Sequence, residues 1–159
     1  MIRVAYPGTF DPITYGHIDI ISRSLSLFGN MSVVISTGYG KNPLFSIQER
    51  IYLVKKIFEK YDNVHVFELE GLLVDFLRKN KFKAIVRGLR TSYDFDYENQ
   101  ISTVNKELYS EIETVLFFSK REFSHVSSSI IKEIAKIDIE KVKNFVDPIV
   151  YKSLYSKFN

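Results

Sequence analysis

The densest chemistry in this chain lies in Tyr6-Pro7-Gly8-Thr9-Phe10-Asp11-Pro12-Ile13-Thr14-Tyr15-Gly16-His17. Gly8 lets the backbone turn tightly and come close to a ligand. The Thr9 hydroxyl suits a phosphate oxygen as a hydrogen-bond partner. Gly16 removes a side chain at a helix start, where backbone N–H groups point outward without helical partners. His17 falls in that first turn, and its imidazole can donate to the same anion. Read alone, the four residues Thr14–His17 equally describe a capped strand-to-helix turn with a surface histidine. The full segment in a strand-loop-helix setting is far more specific.

Two further segments have the same character. Arg87-Gly88-Leu89-Arg90 follows an apolar run and offers two guanidinium groups, which bind phosphate bidentately. Ser127-Ser128-Ser129 precedes an amphipathic run, and hydroxyls with free N–H groups at a helix start cradle phosphate. Capping alone would need only one of those serines. Glu98 closes the acidic stretch Asp94–Glu98, where carboxylates also serve as first-turn dipole partners. Lys41, in a glycine- and proline-marked loop, is by itself a solvated lysine, and Leu73 is as well suited to core packing as to a ligand. Asp11 reads better as a turn residue than as a Mg²⁺ ligand. His65 alternates with Val64 and Val66 on a strand and faces away from them. Three scattered histidines without cysteine make no metal site, and no Ser-His-Asp or Cys-His constellation is present.

The elements that position these residues alternate regularly. Val4–Tyr6, Val33–Ser36, Val64–Glu68, Ala84–Val86 and Val115–Phe118 read as strands. Ile18, Ile21, Leu25 and Phe28 fall at helical spacing and end at Gly29-Asn30. Ser46 with Glu49 forms a capping box ahead of Ile47, Ile51, Val54 and Phe58. Leu72–Lys79 is a short helix, Tyr97, Ile101, Val104 and Leu108 mark a long one, and Ser127–Ile137 is another. Asp147-Pro148 opens a terminal helix as cap and first residue. Strands alternating with helices require crossover connections. The expected fold is therefore an α/β, Rossmann-like, doubly wound five-stranded parallel sheet with helices on both faces, in one domain over residues 1–159. In such sheets ligands bind beyond the carboxyl ends of the strands, and each candidate segment follows a strand.

Bulk properties narrow the classes. The 159 residues carry 22 Lys and Arg against 19 Asp and Glu, a net charge of +3 that is dispersed along the chain. That suits a small anionic ligand and argues against nucleic acid. No cysteine is present, which excludes disulfides and thiol chemistry. No apolar run approaches the roughly 20 residues of a membrane span, and no leader-like segment opens the chain, so a cytoplasmic protein without membrane association is expected.

Thr14-Tyr15-Gly16-His17 resembles the (T/H)xGH signature of the nucleotidyltransferase superfamily. The longer run from Tyr6 to His17, with Arg87–Arg90, Asp94–Glu98 and Val126–Ser129, resembles the phosphopantetheine adenylyltransferases specifically, in order and over nearly the whole chain. The resemblance implies transfer of AMP from ATP to 4′-phosphopantetheine, giving dephospho-CoA and pyrophosphate in coenzyme A biosynthesis. It implies catalytic roles for His17, Lys41 and Arg90. It puts Thr9, Lys41, Leu73 and Arg87 with phosphopantetheine. It puts Thr9, Phe10, His17, Gly88, Leu89, Arg90, Glu98 and Phe123, Ser124, His125, Val126, Ser127, Ser128 and Ser129 with ATP. Mg²⁺ would arrive with ATP, CoA or dephospho-CoA would act as product or feedback ligand, and a homohexamer is implied. The differences from the family are small: Tyr15 at the variable position of the signature, Phe123 where another aromatic is usual, and Val126 for isoleucine. A sister nucleotidyltransferase acting on another phosphorylated acceptor, and a nucleotide-binding module without turnover, are the competing readings.

Overall fold

The computed structural model describes residues 2–38, 40 and 42–158. Five strands form one parallel sheet: β1 (Val4–Gly8), β2 (Met31–Ile35), β3 (Val64–Glu68), β4 (Ala84–Leu89) and β5 (Glu113–Phe118). Their order is β3-β2-β1-β4-β5, so the winding reverses between β1 and β4. The helices are α1 (Tyr15–Phe28), α2 (Ile47–Ile57), α3 (Leu73–Lys79), α4 (Ser92–Leu108), α5 (Ser128–Ile137) and α6 (Pro148–Phe158). Short 3-10 turns cover Arg121–Phe123 and Ile139–Val142.

Successive strand residues point to opposite faces, and both faces are apolar, as a parallel sheet covered on both sides requires. Val4, Tyr6, Val33, Ile35 and Val86 pack with Ile20, Ile21, Leu53, Val54, Ile131 and Leu154 from α1, α2, α5 and α6. Ala5, Val34 and Ile85 pack on the other face with Val74, Leu77, Phe82, Tyr109 and Ile112. The doubly wound parallel sheet expected from the sequence is the fold observed.

Two differences from the sequence reading shape the site. The fourth strand does not end at Val86. β5 continues to pair with it through Arg87↔Leu116, Gly88↔Phe117 and Leu89↔Phe118, so the Arg-Gly pair that looked like a break lies within the strand. By contrast β4 pairs with β1 only at Val4↔Ala84 and Ala5↔Ile85. Beyond Ala5 the two central strands part. Pro7, which has no N–H to give, sits where that ladder has already ended. The parted strand ends open a crevice at the reversal point, the place where doubly wound sheets bind ligands.

The long helix α4 forms as expected, but Tyr97, Ile101, Val104 and Leu108 do not face the core. They are 60, 38, 50 and 48% exposed on this chain, along with Tyr93 and Phe95. Glu98 is the buried residue of this helix.

Candidate active site

A cleft of about 300 Å³ opens between the ends of β1 and β4, beneath the start of α5. Its lining brings together Thr9, Phe10, His17, Arg87, Gly88, Arg90, Glu98, Phe123, Val126 and Ser127–Ser129. Segments more than 100 residues apart in sequence thus meet at one rim because only β4 separates β1 from β5 in the sheet.

The start of α1 sets the imidazole. Thr14 is the N-cap and His17 occupies the third helical position, where a capping box ordinarily carries Glu or Gln. The Thr14 N–H donates to His17 Nδ1 at 3.1 Å, and Thr14 Oγ1 lies 3.1 Å from the same atom. An acceptor Nδ1 leaves the proton on Nε2. Phe10 lies edge-on to the imidazole at 5.1 Å between centroids, and Tyr6 lies 6.3 Å away. Burial pushes the His17 pKa down to about 4, helped by the charges of Arg90 and Arg87. His17 is therefore a neutral N–H donor at physiological pH, not a cation and not a base. Burial pushes the Tyr6 hydroxyl up to about 12 against the opposing pull of Arg87 and Arg90, so it stays protonated.

Close packing fixes these rings. A Cβ on Gly8 would lie 2.9 Å from the Phe10 ring, and one on Gly16 would lie 3.4 Å from Phe123 Cβ. Gly8 therefore makes room for Phe10, whose own backbone is left-handed at φ 49°. Gly16 lets the first turn of α1 approach the loop after β5.

Arg87 fills the gap left by the parted strands. Its Nη1 donates to the Pro7 carbonyl at 2.5 Å, replacing the missing ladder bond. Its Nε and Nη2 grip both oxygens of Glu98 at 2.6–2.9 Å. Burial disfavours the Arg87 charge, but the Glu98 carboxylate outweighs it and raises its pKa. The sequence reading assigned these two residues to different ligands, whereas here they form one ion pair at the cleft wall. Arg90 stands at the rim, 40% exposed, beside Asp94 at 3.3 Å. Asp94 in turn accepts from the backbone N–H groups of Arg90 and Thr91 and completes a capping box with Thr91.

At α5, Ser127 is the cap, accepting from the Ile130 N–H at 3.2 Å. Ser128 instead donates to the Pro12 carbonyl at 2.8 Å. The Ser129 hydroxyl takes no partner among the described residues and is exposed. Neither α1 nor α5 carries an acidic residue in its first turn. Two positive helix ends thus face one cleft without a carboxylate of their own.

Other predicted residues lie elsewhere. Leu73 begins α3 and packs against the second core cluster rather than lining this cleft, because β3 stands two strands away from β1. Leu89 is buried, on the strand position between Gly88 and the exposed Arg90. Ser124 turns its hydroxyl to the Arg121 carbonyl, and His125 lies edge-on to Phe145 at 5.9 Å. Lys41 lies outside the described residues; Pro43 of the same loop lines the cleft.

Sequence reasoning missed three groups. Asp11, read as a turn residue, is only 3% exposed and ties three partners together. Lys132, one of those partners, lines the cleft. Its signal was the four-residue step from Ser128, which puts both on one face of α5. Arg50 is 1% exposed and donates to the carbonyls of Thr9, Ser36, Phe45 and Ser46. It knits the loops after β1 and β2, while looking in sequence like an ordinary charge on an amphipathic helix.

Comparison with known proteins bears on what this cleft does. The profile of the family described as Cytidylyltransferase-like matches residues 5–134. A phosphopantetheine adenylyltransferase of Francisella tularensis subsp. mediasiatica is 43% identical over 154 residues, covering 97% of this chain and 95% of the relative. That of subsp. novicida is 42% identical over the same lengths. Among solved structures, a Plasmodium falciparum nicotinic acid mononucleotide adenylyltransferase complexed with NaAD superposes with a TM-score of 0.69 at 16% identity, over 100% of this chain and 99% of its own. A bifunctional NMN adenylyltransferase/ADP ribose pyrophosphatase of Francisella tularensis, complexed with AMP and a Mn ion, gives 0.71 at 17% identity, over 98% of this chain and 49% of its own. At that identity the structural likeness establishes the fold.

Proposed function

The chain belongs to the cytidylyltransferase-like nucleotidyltransferases and, within them, to the phosphopantetheine adenylyltransferases, and we propose that it performs their reaction, as a single catalytic domain, in the cleft between β1 and β4. The enzyme transfers AMP from ATP to 4′-phosphopantetheine, giving dephospho-CoA and pyrophosphate in coenzyme A biosynthesis. The observation that carries the site assignment is the meeting of two carboxylate-free helix starts and a neutral imidazole donor at one cleft.

The acceptor phosphate is already anionic near neutral pH, so in-line attack on the α-phosphorus of ATP needs no strong base. A depressed His17 pKa agrees with that: the imidazole keeps its Nε2 proton and donates it as a hydrogen bond to the α-phosphoryl oxygens as charge develops. Catalysis is then mostly positioning and charge stabilisation. Thr9 and Lys41 orient the attacking phosphate. Arg90 and Ser127–Ser129 hold the β- and γ-phosphates that leave as pyrophosphate. Phe10, Gly88, Phe123 and Val126 line the nucleotide side, Leu89, Ser124 and His125 adjoin it in sequence, and the Arg87–Glu98 ion pair forms the wall beside them. Leu73 contacts the pantetheine arm.

Mg²⁺ would enter with ATP, supplying charge neutralisation on the phosphates. The carboxylates of the cleft are spoken for: Asp11 by two N–H groups and Lys132, Glu98 by Arg87, and Asp94 by Arg90 and Thr91. They do not fit a protein-built metal site, and no cluster of three metal-ligating side chains occurs among the described residues. The proposed enzyme acts in the cytoplasm; among the described residues no helix is long and apolar enough to cross a membrane. The exposed stripe Tyr97, Ile101, Val104 and Leu108 on α4 supports assembly of copies into the homohexamer. CoA, which contains the dephospho-CoA product, is a feedback ligand of the same cleft.

Incubation with ATP, Mg²⁺ and 4′-phosphopantetheine tests the reading, with dephospho-CoA followed by mass and pyrophosphate by a coupled assay. Both products are expected in equal amounts. Pyrophosphate release only with another acceptor, such as nicotinamide mononucleotide, would reassign the enzyme. ATP binding without pyrophosphate release on any acceptor would reduce it to a nucleotide-binding module.

A further inference from the structure

Tyr6 lines the cleft, and the mechanism above gives its hydroxyl no part. The residue is 6% exposed, and a phenol so buried ordinarily finds a hydrogen-bond partner. Tyr109, 8% exposed on the other face of the sheet, does so: its hydroxyl donates to the Phe82 carbonyl at 3.1 Å. The Tyr6 hydroxyl takes no such partner among the described residues. Nor is it sealed in. Ser24 Oγ is the one side-chain atom among them that is both closed off and unpartnered, so the small open part of Tyr6 includes its hydroxyl.

Its surroundings define what would meet it. The Tyr6 ring lies edge-on to Phe10 at 5.3 Å and 6.3 Å from the His17 imidazole, so one cluster of three rings carries two polar groups. A Cβ on Gly88 would lie 3.7 Å from the Tyr6 hydroxyl and 3.4 Å from Ile20. The bare Gly88 backbone therefore keeps the space beside the hydroxyl open. The charges of Arg87 and Arg90 act on the Tyr6 hydroxyl and on the His17 imidazole alike. Glu98 opposes them at Tyr6 but is itself held by Arg87. Burial keeps the phenol protonated against that field. A protonated, unpartnered hydroxyl at a cationic cleft is a donor suited to an anion's oxygen, and its desolvation is uncompensated until one arrives.

We propose that the Tyr6 hydroxyl is a second neutral donor of the reaction centre, giving a hydrogen bond to an oxygen of the phosphoryl group under transfer, beside the one given by His17. The phenol keeps its proton throughout, while the acceptor phosphate oxygen bonds to the α-phosphorus and the bond from that phosphorus to the pyrophosphate oxygen breaks. Its hydrogen bond strengthens as charge builds on the phosphoryl oxygens, so it acts on turnover more than on binding. The proposal rests on the reading of the cleft as the site of AMP transfer and adds one residue to it.

Tyr6→Phe removes one oxygen and keeps the ring that packs against Phe10 and His17. The full chain is assayed with ATP, Mg²⁺ and 4′-phosphopantetheine, beside calorimetry with ATP and thermal unfolding. The variant is expected to lose about tenfold in kcat, the scale of one hydrogen bond made in the transition state, with ATP affinity within about twofold. Its melting temperature should stay level or rise slightly, because an unpartnered polar group has left the interior. A hydroxyl that only holds the fold would give the opposite pattern, a lower melting temperature with kcat kept. Unchanged kcat would overturn the proposal. So would an ATP affinity that falls as far as kcat, which would make the hydroxyl a ground-state contact of the nucleotide. Wild-type protein that forms no dephospho-CoA would overturn the reading of the cleft and the proposal with it, whereas an active wild type and an equally active variant would overturn the proposal alone.

Discussion

Helices α2 and α1 both open with a capping box, yet they treat the positive helix end in opposite ways. In α2, Ser46 Oγ accepts from the Glu49 N–H at 3.2 Å and the Glu49 carboxylate reaches back to the Ser46 N–H at 2.7 Å. The helix brings its own anion. In α1 the same third position holds His17, whose neutral ring satisfies the Thr14 N–H without adding charge. α5 goes further: Ser127 caps it, and Ile130 stands where the box would place Glu. α4 sides with α2, through Thr91 and Asp94. A helix start that supplies its own carboxylate is finished structurally, whereas one that withholds it keeps its N–H groups and dipole for a ligand. The difference is one side chain at one position, and it separates α2 from the two helix starts that face the cleft without a carboxylate; Asp94 of α4 lines the cleft but is held by the Arg90 and Thr91 N–H groups.

Breaking the comparison at α1 has the largest expected effect. His17→Ala should lower kcat by about 100-fold or more, at least about 2.7 kcal/mol on the scale of a lost preorganised donor, with ATP affinity little changed in calorimetry. His17→Glu should remake the α2 box at α1, giving a folded protein with no measurable turnover. Unchanged kcat in either variant would remove His17 from its role. Lys41→Ala should raise the KM for 4′-phosphopantetheine in steady-state kinetics, and a change in the ATP KM alone would redraw the division of the cleft.

Ile130→Glu makes the matching change at α5. The side chain is 44% exposed, so the substitution meets no packing obstacle. It should complete a box with Ser127 and leave the melting temperature level or slightly raised. ATP affinity should fall about tenfold, because a carboxylate now occupies the end of the helix meant for phosphate. The converse, Glu49→Gln in α2, should cost about 0.5–1 kcal/mol of stability in denaturant unfolding and leave ATP affinity alone. Lys157 at 2.8 Å, with the Ser46 N–H, holds the Glu49 carboxyl below its ordinary pKa. The contribution of Glu49 is therefore present above pH 4.5 and is lost as pH falls through the lower, folded value.

His17 gives the smallest and most specific signature. Its pKa is 6.5 unfolded and about 4 folded. Between those values the unfolded chain holds the extra proton, so this residue makes the protein less stable as pH falls from 6.5 toward 4, and contributes nothing above 6.5. Nitrogen chemical shifts of the ring should show the Nε2–H tautomer at pH 7, with a midpoint near 4. A midpoint at or above 6.5 would contradict the neutral-donor role.

How much of this was legible in the sequence follows from range. Thr14 with His17 and Ser46 with Glu49 are three residues apart, and local spacing announces them. The continuous apolar run Val33, Val34 and Ile35 announces a strand buried on both faces. The continuation of β4 through Arg87 and Gly88 was hidden because partner pairing with β5, not propensity, sustains it. Arg87 with Glu98 and Asp11 with Lys132 were hidden for a related reason: 11 and 121 residues separate partners that tertiary packing brings together, α4 folding back on β4 in the one case and the sheet order in the other. The exposed stripe of α4 has a helical period, and a period states that a face is apolar without stating what covers it.

The most direct test of the division between self-capped and anion-receiving helix starts is a titration of the labelled protein with a non-hydrolysable ATP analogue, followed by backbone amide shifts. The amides of Gly16 and His17 in α1 and of Ser128 and Ser129 in α5 should move together with one dissociation constant, while those of Ile47 and Gln48 in α2 stay still. Movement at α2, or at only one of α1 and α5, would contradict the account.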